Sequence, residues 1–222
     1  MLIIFDVDGT LLGGETHDWA SFATAITHHT GFVPTPEFWQ SLDEITSQFI
    51  VHAVLGAKSE EEKKEMERLV RAMHLEGLRK AHQGDPKAFM PMLGAMELLQ
   101  HLAAMEGVDV AIATGDWHPT ISFKLAAAGF DVSSLPMATA SDCMSRADII
   151  ALAASRAGRE LHDVVYVGDG PWDLLACRKL GIPFIGTGNK IHRLLEAGAE
   201  HTVPDLSPSA FMTVLEKIQS AR

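Results

Sequence analysis

Cysteine is scarce in this chain: Cys143 and Cys177 are the only two in 222 residues. Two thiols do not make the disulfide framework of a small secreted domain. In an α/β chain without a secretion signal they are expected to be reduced, which implies the cytoplasm. Long apolar runs are missing too. No stretch approaches the roughly 18 residues needed to cross a bilayer, so no membrane partner is expected. The apolar start at Leu2 meets Asp6 almost at once and is not expected to be a signal peptide. Positive charge is short, with 18 Lys and Arg against 29 Asp and Glu and a formal charge of −11. Binding a phosphate backbone takes clustered Lys and Arg, so nucleic acid is excluded as a partner. Internal repeats and low-complexity tracts are also lacking.

What is present is enough for a core. Hydrophobic residues make up 47% of the chain, and its length allows one large domain or a core with a smaller insert. Leu2-Ile3-Ile4-Phe5 reads as a short, continuous, buried parallel strand. It runs into Asp6-Val7-Asp8-Gly9-Thr10, where Gly9 and Thr10 end it. Open parallel sheets bind ligands at the carboxyl ends of their strands. Alternation along a strand lets Asp6 and Asp8 lean to the same side of its tip. Two close carboxylates repel unless a cation or a shared proton relieves them, so Mg²⁺ with acid–base chemistry is the natural expectation. Turn-favouring acids in an ordinary loop are the plainer alternative.

Three further segments weigh against that alternative. Val110-Ala111-Ile112-Ala113 is apolar and ends in Thr114-Gly115-Asp116. Asp163-Val164-Val165-Tyr166-Val167 ends in Gly168-Asp169-Gly170-Pro171-Trp172-Asp173. Between them, Met144-Ser145-Arg146 leads into a helical run from Ala147 to Ala157. A parallel sheet would bring this hydroxyl, guanidinium and further pair of carboxylates to one edge.

In this order the motifs resemble the haloacid dehalogenase-like superfamily of hydrolases, most of which are Mg²⁺-dependent phosphatases. The resemblance runs the length of the chain: Asp-x-Asp-Gly-Thr, then Thr-Gly, then a basic residue, then Gly-Asp-x-x-x-Asp. The family often carries Lys-Pro at the basic position, where this chain has Arg146-Ala147. Lys124 is the rival basic residue, but it falls inside a helical pattern away from a strand end.

The organisation expected is an interrupted α/β domain. Strand signals vanish after Gly13-Gly14, and helical patterns run from about Asp18 to His29, Pro36 to Leu55 and Glu60 to His82. Thr35-Pro36 is a good helix start, and Ser59 with Glu62 makes a capping-box pattern. Met66, Leu69, Val70 and Met73 share one helical face. Gly84-Asp85-Pro86 closes the insert. Residues 14–88 thus match the helical cap that many members of the family carry after the first motif. Residues 1–13 and 89–222 would form a Rossmann-like core, a mostly parallel sheet with helices on both faces. There strands are expected to end at Thr114 and Val167, with short ones near Pro136 to Thr139, at Pro183 to Gly186 and near His201 to Val203. The mixed charges of Glu60 to Glu65 suggest a solvated helix face.

The resemblance implies roles. Asp6 would be the nucleophile, forming an aspartyl-phosphate. Asp8 would protonate the leaving oxygen and then activate water. Asp6, the backbone carbonyl of Asp8, and Asp169 would hold Mg²⁺, a hard ion that prefers oxygen ligands, with Asp173 a further ligand or an anchor behind them. Thr114 would bind a phosphoryl oxygen with the amides of Gly115 and Asp116. Arg146 would neutralise the nucleophile and the transferring group. A helix cap is the plainer role for Thr114, and a surface position in a first helical turn the plainer role for Arg146.

Other residues carry weaker signals. The histidines are scattered, and His28-His29 lacks metal-ligand spacing. Met90, Met92 and Met96 are expected as core filler. Trp117, His118 and Trp172 would line the entrance or pack under loops, and His17, Trp19 and Trp39 could face substrate from the cap. The substrate class expected is a small phosphorylated metabolite. A phosphomutase would use the same residues. Dehalogenases and phosphonate-cleaving relatives lack an acid at the position of Asp8. A non-catalytic binding protein would not need every carboxylate.

Overall fold

A computed structural model describes residues 1–220. Its centre is a five-stranded, wholly parallel sheet of order β3-β2-β1-β4-β5. The strands are β1 (Leu2–Phe5), β2 (Asp109–Ala113), β3 (Met137–Ala138), β4 (Val164–Gly168) and β5 (Phe184–Gly186). Inside the sheet, β1 lies with Ile3 opposite Val110 on one side and Val165 on the other. Its side chains alternate between two cores, Leu2 and Ile4 on one face, Ile3 and Phe5 on the other. That is why the strand reads as a continuous apolar run. The chain builds outward from β1 through β2 to β3, then returns to β1's other side for β4 and β5. The reversal puts a topological switch point beside the end of β1, where such sheets leave a crevice.

The helices of the core are α5 (Ala95–Ala103), α6 (His118–Ala127), α7 (Arg146–Arg156) and α8 (Pro171–Leu180), and after the last strand α9 (Ile191–Glu196) and α10 (Pro208–Ser220). Before them, between β1 and β2, come α1 (Glu15–Thr30), α2 (Pro36–Gln40), α3 (Ser47–Leu55) and the long α4 (Glu60–Gly84). This is the α/β architecture with an inserted helical layer that the sequence led us to expect. Ser59 and Glu62 form the capping box of α4, and Thr35 caps α2, with Pro36 in the first turn. Gly14 opens α1 at φ +106°, beside the Ala88 carbonyl of the segment that returns from α4. A side chain there would be strained and would strike that carbonyl.

The structure corrects three expectations. The pattern from Pro36 to Leu55 is two helices, α2 and α3, separated by residues 41–46. The break has a cause in the core. Thr46 is extended, at φ −130°, and its Oγ1 caps α3 by accepting from Phe49 N at 3.3 Å while donating to Met144 O at 2.7 Å. Ser47 N donates to Gly115 O at 2.7 Å. Residues 41–46 therefore dip onto the sheet edge, and a continuous helix would not reach it. Near His201 to Val203 only a single bridge, Thr202 to Gly186, takes the place of the expected strand. Of the three methionines, Met92 and Met96 pack against the core but Met90 is 49% exposed.

Thr46 is thus a cap and a tether together. Thr46→Ala should cost about 1–2 kcal/mol in urea denaturation, since both a helix cap and a hydrogen bond to Met144 are lost. Thr46→Ser should recover most of it. Stability unchanged within a few tenths of a kcal/mol would show that residues 41–46 are held by something else.

Candidate active site

The loops that leave β1, β2 and β4, together with the start of α7, converge on the switch point. They surround a small cavity of about 100 Å³ lined by Asp6, Asp8, Thr114, Gly115, Arg146 and Asp169 among others. Backbone shape here depends on glycine. Gly9 turns at φ +80°, and a Cβ on it would collide with the Asp169 carboxylate. A Cβ on Gly115 would come within 2.6 Å of Arg146 Nη2 and 2.7 Å of Ile45 O. Loop and ligand groups are packed as closely as the missing side chains allow.

Two charge groups divide the cavity. In the first, Asp6, Asp169 and Asp173 bring carboxylate oxygens within 4.8 Å of one another. Arg146 Nη1 donates to Asp6 Oδ1 at 3.0 Å and lies 3.4 Å from Asp173 Oδ1. Its Nη2 donates to Ile45 O at 3.0 Å, and its backbone N to Glu44 Oε2 at 3.1 Å. Arg146 is 4% exposed, so the surface alternative for it does not hold. Asp173 is fully buried. Its Oδ1 accepts from Tyr166 OH at 3.2 Å and its Oδ2 from Gly170 N at 3.0 Å. Those bonds fit an anchor that fixes the loop and Arg146, the second of the two roles expected of it.

In the second group Lys124 is the hub. It is 0% exposed, and its Nζ donates to both oxygens of Asp8 at 2.8 Å and to Asp18 Oδ1 at 2.6 Å. It also lies 2.9 Å from Asp116 Oδ2. The sequence reading held Lys124 as the rival of Arg146, set back by its place inside a helical pattern. A place inside a helix does not keep Lys124 from the site, because its long side chain runs back from α6 under the loop after β2. His74 of α4 approaches Asp18 at 3.5 Å, so α1, α4, the core helix α6 and the first motif share one ionic cluster. Asp18, His74 and Asp116 also have metal-ligand spacing, but the Lys124 ammonium already fills that place.

The aspartates after β1 therefore face different cations, Asp6 toward Arg146 and Asp8 toward Lys124. Burial pushes the Asp6 carboxyl up, Arg146 opposes it, and Asp173 and Asp8 add to it, leaving it at about 8. Burial raises Asp8 to about 7 against the pull of Lys124. Asp169 is raised well above the usual range by burial and by Asp6 and Asp173. Burial also raises Asp173, against Arg146. Burial works against ionised Asp18 too, yet Lys124 and His74 pull it below the usual range. Lys124 is held well above its usual value, its burial outweighed by the three carboxylates.

Around Asp6 one guanidinium stands against three buried carboxylates, all of them pushed up. Their charge and their hard oxygen donors fit a divalent cation such as Mg²⁺. Asp6 and Asp169 are the residues that would hold it.

The remaining predicted residues fall unevenly. Thr114 is buried, and Trp117, not Thr114, caps α6, which removes the plainer role for Thr114. Its Oγ1 accepts from Asp116 N at 3.3 Å, so that amide is already engaged. The Asp116 carboxylate serves the loop and Lys124, its Oδ1 accepting from Trp117 N and Thr120 Oγ1 at 2.7 Å. Trp117 is buried, its indole donating to Glu67 at 3.1 Å, and lines no entrance. Trp19 and Trp172 do line the cavity, whereas His17 lines a different one. The sequence reading missed Asp18, Ser47, Tyr166 and the Ile45 carbonyl.

A model of the haloacid dehalogenase-like hydrolases matches residues 1–181. The chain belongs to this family and is an enzyme. Similar solved structures include a hydrolase from Pseudomonas syringae, 23% identical with a TM-score of 0.76, covering 97% of this chain and 98% of that one. A β-phosphoglucomutase from Clostridium difficile is 18% identical with a TM-score of 0.76, covering 99% and 97%. CbbY from Rhodobacter sphaeroides, in complex with phosphate, is 19% identical with a TM-score of 0.71, covering 93% and 94%. At these identities the likeness is one of fold. No curated protein matches. Among the described residues no helix is long and apolar enough to cross a membrane.

The raised carboxyls predict a metal-linked stability profile. With Asp6 at about 8 when folded and near about 3.9 when unfolded, the folded state binds the extra proton. Its contribution to stability is therefore lost as pH rises from about 4 to 8. A cation that replaces those protons should restore it. Thermal melts should show millimolar Mg²⁺ stabilising the protein more at pH 8 than at pH 5.5. Equal stabilisation at both values would mean that Mg²⁺ does not bind these carboxylates.

Proposed function

We propose that the protein is a Mg²⁺-dependent phosphomonoester hydrolase acting on a small phosphorylated metabolite through an aspartyl-phosphate on Asp6. The observation that carries this is the Asp6–Asp169–Asp173 cluster with Arg146 on Asp6 and, in the same cavity, a second carboxylate, Asp8, poised near neutrality.

Arg146 fixes the rotation of the Asp6 carboxylate and favours its ionised form. When bound, Mg²⁺ supplies the positive charge that lets this anion approach an anionic phosphoryl group. Asp6 attacks phosphorus as the ester P–O bond breaks. Asp8 gives its proton to the leaving oxygen. Then Asp8, now a carboxylate, takes a proton from the water that attacks phosphorus, releasing inorganic phosphate and restoring Asp6. A carboxyl near 7 suits both halves, since the best acid–base catalyst titrates near the working pH. Both Asp8 oxygens rest on Lys124, so one must turn toward the cavity when substrate enters. Thr114 and the Gly115 amide would hold the phosphoryl oxygens. Residues 14–88 would act as a cap over the site, the rest being the catalytic core.

A phosphomutase remains the competing reading, favoured by the named β-phosphoglucomutase among the neighbours. A second CbbY structure from Rhodobacter sphaeroides holds xylulose-1,5-bisphosphate. The two readings part at the second half-reaction, where a mutase returns the phosphoryl group to a sugar and releases no phosphate.

Phosphate release from a panel of phosphorylated metabolites with Mg²⁺ tests the proposal. Asp6→Asn should abolish turnover in a folded protein, by several orders of magnitude. Asp8→Asn should lower the rate about 10²–10⁴-fold. The loss in the first step should be smaller for esters with good leaving groups, and a phosphorylated enzyme should accumulate. Equal losses for good and poor leaving groups would remove Asp8 from the role of acid. Wild-type rates in Asp6→Asn would end the proposal.

A further inference from the structure

A second, larger cavity of about 570 Å³ lies beside the catalytic one along the seam between α1, α2 and the start of α8. Its walls include Trp19, Trp39, Trp172, Leu42 and Ile45, with Arg193 among the few charged groups. Three of the protein's four tryptophans are gathered here. Trp19, Ile45 and Trp172 line both cavities, so the two adjoin across shared walls. The catalytic cavity is small and strongly charged, whereas this one is roomy and apolar.

The aromatic walls are held in place. Trp19 and Trp39 meet edge to face at 4.9 Å, 69° apart. Trp172 follows the metal-cluster residue Asp169 by three positions, and its indole packs on the Cα of Gly170, where a Cβ would collide with it. Trp19 is 37% exposed and Leu175, also on the wall, 59% exposed. Large apolar groups left open beside a catalytic cavity mark a place where something apolar is received.

We propose that this cavity receives the leaving group of the substrate, and that this group carries a flat aromatic ring. The inference rests on the phosphatase reading of the adjoining site. A polyhydroxylated sugar placed here would give up water for walls that offer few hydrogen bonds, at a cost for each unpaired hydroxyl. An aromatic ring loses little hydration and gains edge and face contacts with indoles. Stacking of this kind contributes about 1–3 kcal/mol per ring, or roughly 5- to 150-fold in affinity. Arg193 supplies a cation that can stack on the ring or pair with an acidic substituent. The ring can come from a nucleoside or from an aryl alcohol.

The test compares kcat/KM for nucleoside 5′-monophosphates, aryl-alkyl phosphates and hexose phosphates, in the wild type and in Trp39→Leu and Leu175→Glu. Trp39 lines only the outer cavity, and Leu175 is exposed, so the second variant should fold if the first does not. The expected result is a preference for aromatic over hexose phosphates of at least about tenfold, within the range stacking supplies. The variants should reduce it mainly through KM. The nucleoside and aryl arms decide which source of the ring is used. Binding to the Asp6→Asn protein, followed by quenching of tryptophan fluorescence, gives a readout that needs no turnover. Asp6-dependent phosphate release that favours hexose phosphates would overturn this inference and leave the phosphatase reading standing, as would an aromatic preference that both variants retain. Aromatic phosphates that bind Asp6→Asn and lose affinity in Trp39→Leu, with no Asp6-dependent turnover of any ester by the native enzyme, would keep the ring in this cavity but overturn the phosphatase reading and with it the leaving-group role.

Discussion

Everything at this sheet edge depends on how six carboxylates are kept together with two fixed cations. Asp6, Asp169 and Asp173 gather around Arg146, and Asp8, Asp18 and Asp116 around Lys124. Neither cation has access to water in any useful measure, being 4% and 0% exposed. Taking such charges out of water is expensive, and the cost is offset only when each finds close, well-oriented partners. The fold provides those partners by sending the strand tips of β1, β2 and β4 to one point. Acidic motifs that would repel one another in an extended chain become mutually necessary once the two cations arrive.

The division between the cations is unequal, and the inequality has chemical consequences. Lys124 meets all three of its carboxylates at 2.6–2.9 Å. Arg146 reaches Asp6 and stands farther from Asp173, and neither reaches Asp169 by an ion pair among the described residues. Asp169 is therefore the carboxylate of the six left without a paired cation, and the space between it and Asp6 is the place best suited to a divalent cation. The Lys124 cluster has a different use. Because Asp18 belongs to α1 and His74 to α4, the same ammonium that holds Asp8 also holds the helical layer against the core. On the proposed reading, the position of that layer and the state of the acid–base residue are parts of one electrostatic problem.

Much of this was legible in the sequence, and the reason is local. Asp6, Asp8, Thr114 and Asp169 follow apolar runs closely, so a strand-then-turn pattern fixes both their secondary structure and their place on the sheet edge, and Asp173 follows in the first turn of α8. Arg146 was legible through its helix start after Ser145, which caps α7 by accepting from Asp148 N. Lys124 was not, because residue spacing along a helix says nothing of a side chain that travels several ångströms sideways. Asp18 looked like any acid in a first helical turn. The break between α2 and α3 was hidden for a related reason. It is imposed by partners about a hundred residues away in sequence, Met144 and Arg146, whose bonds to Thr46 and Ile45 appear only on folding.

The tryptophan-lined cavity shows how the same break shapes recognition. Residues 41–46 leave the helical layer to reach the site, and in doing so Leu42 and Ile45 become walls shared by or adjoining two chambers. One chamber is charged and tight, the other apolar and wide. Their chemistry cannot be exchanged: a phosphoryl group in the apolar chamber would trade the polar groups of the catalytic cavity for mostly apolar walls with Arg193 as its cation, and a ring among the carboxylates would leave them unsolvated. A substrate with one end of each kind therefore has a single productive orientation. Contacts to the non-reacting end do not by themselves lower the barrier to phosphoryl transfer, because they are equal in the ground and transition states. They can, however, hold the ester oxygen where Asp8 must turn from Lys124 to meet it. Positioning of that kind is where binding far from the bond that breaks becomes rate.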